Sequence, residues 1–150
     1  MGIVVLCFSQ CSSAQLDAKA PSTITDSFYQ EWIGGRPGSK GTLLTIKMNN
    51  PKKKVVFDSI YFNHKAVKLT STLDKNELTL IGNFVHSTKN NLLTVDADPK
   101  KEFGNKRPLA SQKIPFELQQ NEAVITYFIN SKKRYFKLTQ LKKRKAIYHQ

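Results

Sequence analysis

Cysteine is nearly absent from this chain: Cys7 and Cys11 are the only two in 150 residues, and both fall within the first eleven positions. That excludes a disulfide framework in the body of the protein, together with a cysteine nucleophile or a thiolate metal cluster there. Stability must come from a packed core, which a chain of this length is large enough to bury. Histidine is also scarce, and His64, His86 and His149 lie far apart, without the short ligand spacings of zinc sites. No apolar run approaches the ~20 residues that a membrane-spanning helix needs. There is no Gly-x-Ser-x-Gly elbow. Residues 34–41 (Gly-Gly-Arg-Pro-Gly-Ser-Lys-Gly) have the composition of a phosphate loop in the wrong order, because Gly41 and a strand pattern follow Lys40. These absences leave no catalytic constellation and no expected cofactor.

What is present begins with an address. Residues 1–8 are uncharged and apolar, and they end in a cluster of small residues around Cys11, as an export signal's processing site does. Residues 1–14 are therefore expected to be a lipoprotein-type signal peptide, cut before Cys11 so that this cysteine carries acyl chains. Cleavage after Ala14 by an ordinary signal peptidase is the alternative; a buried strand of a cytoplasmic protein is the bland one. The expected location is the cell envelope, lipid-anchored and facing the periplasm or the cell surface. Residues 15–27, polar, small and Pro-containing, have the composition of a flexible tether.

Charge is the second positive feature. Lys and Arg number 24 against 11 acids, for a formal net charge of +13. The densest run is C-terminal: Lys132, Lys133, Arg134, Lys142, Lys143, Arg144 and Lys145 are the anion-binding candidates. In the envelope the available polyanions are anionic lipid, acidic glycan and acidic protein, and a basic face would supplement a lipid anchor. Nucleic acid ranks last and gains weight only if the chain stays in the cytoplasm. The bland reading of the same run is a solvated face with a frayed tail over 142–150.

Between signal and tail the pattern is β. Thr42–Met48, Val55–Phe62, Lys65–Ser71, Glu77–Val85, Leu92–Val95, Lys113–Leu118, Glu122–Ile129 and Arg134–Leu141 alternate or are rich in β-branched and aromatic residues. Turn residues separate them, with a hairpin expected about Asn130-Ser131. Pro115 makes its segment an edge strand or a strand start. Residues 28–33 are the one place for a turn of helix, and 96–111 form the main irregular loop. The expected fold is all-β: a single antiparallel β-sandwich (Ig-like) or small barrel of about eight strands over residues 28–141.

The stretches 32–41 (Trp-Ile-Gly-Gly-Arg-Pro-Gly-Ser-Lys-Gly), 102–108 (Glu-Phe-Gly-Asn-Lys-Arg-Pro), 114–118 (Ile-Pro-Phe-Glu-Leu), 122–127 (Glu-Ala-Val-Ile-Thr-Tyr) and 135–138 (Tyr-Phe-Lys-Leu) together resemble small envelope lipoproteins of flavobacteria (Bacteroidota). The resemblance implies a lineage and a location, and it brings no activity or site residue with it. Two weaker candidates remain. Trp32, Arg36 and Lys40 could hold a ligand by ring stacking and charge, against a packing role for the tryptophan. Asp96, Asp98 and Glu102 form the densest acidic cluster and could hold a hard cation in a small metal-dependent hydrolase, the alternative to a non-enzymatic binding or structural module. Lys100 and Lys101 stand beside those acids and would neutralise them.

Overall fold

The computed structural model of the chain describes residues 15–87 and 116–149. Ten strands follow one another: β1 (Leu16–Asp17), β2 (Ile24–Ile33), β3 (Ser39–Asn49), β4 (Val55–Phe62), β5 (Lys65–Asp74), β6 (Glu77–Ser87), β7 (Ala123–Ile129), β8 (Lys132–Leu138), β9 (Lys142–Lys143) and β10 (Ile147–Tyr148). Among the described residues there is no helix. The all-β expectation holds, as one curled sheet forming a half-barrel. The strands run in the order β1-β8-β7-β4-β5-β6-β3-β2-β10, with β9 also on β2. The sheet is mixed rather than purely antiparallel, because β1 lies parallel to β8, and β9 and β10 lie parallel to β2.

Period-two patterning decides the inner face. Leu44, Ile46 and Met48 of β3 point inward with Ile60 and Phe62 of β4, Leu80 and Phe84 of β6, and Ile125 and Tyr127 of β7. Phe62 is the hub, its ring 5.0 Å from Tyr29 on β2 and 5.9 Å from Phe84. Two-residue turns set the registers. Asn63-His64 and Asn130-Ser131 all have positive φ, the conformation of type I′ turns, whose twist matches that of the strands they join. The expected hairpin about Asn130-Ser131 is present.

Three expectations need correction. Residues 28–33 are strand, not helix: their i, i+1, i+4, i+5 apolar spacing fits a helical face as well, but continuous pairing with Lys40–Thr45 of β3 decides the matter and puts Phe28 and Trp32 on one side of β2 and Tyr29 and Ile33 on the other. Residues 15–27 are not simply a tether: they carry β1 and the start of β2. Their polar composition fits these positions because β1 is a sheet edge and Asp26 has cationic partners. Residues 142–150 are not simply a tail either, since β9 and β10 cover the outer edge of β2. The signal segment with Cys11, the strand Leu92–Val95, the loop 96–111 and Pro115 lie outside the described residues.

The C-terminal part closes the curl. Leu138 ends β8 beside Ala123, yet Lys142 already pairs with Phe28 of β2 near the opposite margin of the sheet. Only Thr139, Gln140 and Leu141 span the interval, so the two margins must lie close together. Gln140 takes φ 67° at this reversal, and Leu141 is buried and donates its N–H to the Asn121 carbonyl at 3.0 Å.

Candidate functional site

Antiparallel registers bring four connections to one end of the half-barrel: 18–23 after β1, 50–54 after β3, the turn 75–76 after β5 and the turn 130–131 after β7. The first three, with Tyr127, Ile129 and Arg134, line an open cavity of about 790 Å³. Its lip carries Lys19, Lys52 and Lys53. Lys54, Lys75, Lys132 and Lys133 stand at the same end, on the same connections or the first residues beyond them. Among the described residues none of these lysines forms an ion pair, although Lys133 lies 5.6 Å from the Tyr135 ring centre. Asp74 is the acid nearest this group in sequence, while Glu77 is engaged by Lys47 at 2.9 Å.

The cavity wall is a polar knot. Arg134 grips the Asp17 carboxylate with two nitrogens, Nε at 2.9 Å and Nη2 at 2.8 Å, and the Tyr127 hydroxyl donates to the same carboxylate at 2.5 Å. Partial burial pushes the Asp17 carboxyl up, but the hydrogen bonds from Arg134 and Tyr127 and the guanidinium charge outweigh it and leave it below the usual range. The Tyr127 phenol is driven well above its ordinary value, first by burial and then by the carboxylate it serves. Arg134 is thus committed to Asp17, and the lysines are the cations available to a ligand.

The sequence candidates fall in three places. Lys132 and Lys133 are at the basic end, with Arg134 in the knot beneath them. Lys142, Lys143 and Arg144 lie along the edge of β2, matched to acids: Lys143 meets Glu31 at 3.1 Å, and Arg144 meets Asp26 at 2.6 Å with Lys142 3.8 Å from that carboxylate. The Arg144 guanidinium also stacks 3.5 Å over the Phe28 ring and seals it from water. Lys145 is exposed and forms no ion pair among the described residues.

Trp32, Arg36 and Lys40 lie at the opposite end. The Trp32 indole lies across Gly41 and its Nε1 donates to Asn83 at 2.9 Å, so it ties β2 to β6 over β3. A methyl group on Gly41 would sit 2.6 Å from that ring and from the Phe84 carbonyl. Arg36 is exposed in the loop after β2, and Lys40 is exposed on β3 opposite His86. Burial, then Lys65 and Lys40, hold His86 below the usual histidine range.

No protein-family model, curated protein or solved structure matches the chain. Its chemistry therefore has to be read from its own residues. Among the described residues no three His, Cys, Asp or Glu side chains converge to hold a metal. Asp96, Asp98 and Glu102 lie outside them. The residues that sequence reading passed over are Lys19, Lys52, Lys53 and Lys54. Their signal was the run Pro51-Lys-Lys-Lys54 in a connection between two strands, which reads as a separator until strand direction shows where it points.

Proposed function

We propose that the protein is an exported envelope module, lipid-anchored at Cys11, whose basic end rests on an anionic membrane surface without doing chemistry there. The observation that supports this reading is the direction of β1. It runs parallel to β8, which leaves the basic end, so Leu16 lies nearer that end than Asp17. Cys11 stands five residues before Leu16, a reach of at most about 17 Å when extended. An acyl chain on Cys11 and the unpaired lysines would then face the same bilayer. One myristoyl-sized chain alone binds marginally, and each lysine near an anionic surface adds about 1 kcal/mol.

The test is flotation of the unlipidated C11S chain with vesicles of phosphatidylglycerol and phosphatidylcholine, against phosphatidylcholine alone. Binding should require the anionic lipid, fall steeply with salt, and drop at least tenfold when Lys52, Lys53, Lys132 and Lys133 are changed to Glu. Equal binding to both vesicle types, or indifference to those four changes, would remove the reading. Intact mass of the native protein from envelope fractions checks the anchor: acyl mass on a chain starting at Cys11 is expected.

A further inference from the structure

The wall of the half-barrel has a fork in it. β4 and β5 pair only over Ser59–Phe62 and Lys65–Lys68. Toward the basic end they part: Val55–Phe57 of β4 pairs only with β7, and Leu69–Asp74 of β5 pairs only with β6. The cause lies at the crotch. A β-bulge at Asp58 breaks the β4–β7 register and bends β4, as bulges do. Lys68, the last β5 residue paired with β4, binds the Asp58 carboxylate there, and the Ser59 hydroxyl donates to the same group at 2.9 Å. β5 is accordingly the corner strand, shared between two parts of the sheet.

The fork is open in ways that the true margins of the sheet are not. Both margins end in two-residue strands, β1 on one side and β9 and β10 on the other, and short edges of that kind discourage further pairing. Among the described residues no strand covers the facing backbones of Val55–Phe57 and Leu69–Asp74, and a cleft of about 400 Å³ lies beside them, reaching Phe57, Ser71 and Leu78. Leu73 points to the inner side, paired with Leu78, yet is 53% exposed; Val56, on the outer side, is 54% exposed. Lys52, Lys53 and Lys54 form the lip.

We infer that this fork accepts an extended acidic segment of a partner protein, added as a strand between β4 and β5. Main-chain bonding to the two free edges would supply affinity. Period two puts alternate side chains of the incoming strand over Leu73 and Leu78 inside and over Val56 outside. Charge selects the occupant: three lysines at the lip favour Asp and Glu, and they disfavour a second copy of a chain with net charge +13. The inference goes beyond the membrane reading and does not rest on it, since the fork opens through the side wall and needs no lipid.

The experiment uses the full chain carrying C11S, without vesicles, and a fluorescent octapeptide alternating Asp or Glu with Val. The expected results are saturable binding and at least tenfold slower amide exchange confined to 55–57 and 69–74. Affinity should be at least tenfold weaker for the same peptide N-methylated at alternate residues, and likewise for the K53E/K54E chain, whose melting temperature stays unchanged. A K132E/K133E chain should lose vesicle binding and keep the peptide, which separates failure of this inference from failure of the membrane reading. No binding at millimolar peptide, protection elsewhere, or equal affinity for the N-methylated peptide would overturn the inference. So would sedimentation as a dimer already protected at these edges, because the occupant would then be a second copy.

Discussion

Residues 132–134 and 142–145 read as one basic run, yet the fold gives the two halves opposite employment. Lys132 and Lys133 stand without ion pairs at the open end, while Lys142, Lys143 and Arg144 are spent on Asp26 and Glu31 along the margin of β2. The reversal at Thr139–Leu141 separates them, carrying the chain across the opening of the half-barrel. A cluster of charge in sequence is therefore not a patch of charge in space. In this molecule one half of the run is available to a partner and the other half helps to shut the fold.

The contrast can be tested by breaking each side of it. The largest effect should come from the crossing itself. Leu141→Ala removes a buried side chain from the point where the margins meet, and should cost about 2–4 kcal/mol in denaturant melts, with vesicle binding at low temperature retained. Survival of full stability would mean that the crossing is not what holds the second half in place.

The next effect concerns Arg134, the member of the first half that is not free. With the Asp17 carboxyl lowered in the folded state, its contribution is fully present above the ordinary carboxylate value and is lost as pH falls through the lowered one. With the Tyr127 phenol raised, its contribution is present below the ordinary phenol value and is lost as pH rises through the folded one. Stability should consequently decline below about pH 4 and again above about pH 10. Asp17→Asn should lower the melting temperature at pH 7 by about 5 °C and flatten both limbs. An unchanged pH profile in that variant would show the knot to be idle.

The smallest effect should come from Arg144→Ala. Losing the Asp26 pair and the cover over Phe28 costs about 0.5–1 kcal/mol, with no change in vesicle binding. Lys132→Glu should do the reverse, moving the vesicle isotherm and leaving the melt alone. A common response to both would erase the distinction between the halves.

The patterning of β3, β4, β6 and β7 was plain in the sequence, because apolar and β-branched residues recur where each strand meets the shared core, although β7 is buried on both faces from Ala123 to Tyr127. Asn130-Ser131 was equally plain, since its turn chemistry is local. What was not legible depends on partners distant in the chain. Leu16–Asp17 is a strand only because Tyr135 and Phe136 lie beside it, and no two-residue pattern announces that. Thr25, Asp26 and Ser27 look like linker, but in β2 the aspartate is a counter-ion for residues more than a hundred positions later. The basic end suffered in the same way: Lys52–Lys54 and Lys132–Lys133 converge because two connections open in the same direction, a fact of topology rather than composition.

The three-residue crossing at Thr139–Leu141 also has a consequence for the order of events in time. The segment that covers the margin of β2 is synthesised after every strand it joins, and β1 likewise waits for β8, more than a hundred residues downstream. A nascent chain can hold local hairpins such as β5–β6, but it cannot close. Closure of the sheet is thereby deferred until translation has passed Lys142, so the margins of the fold are the last part of it to be protected.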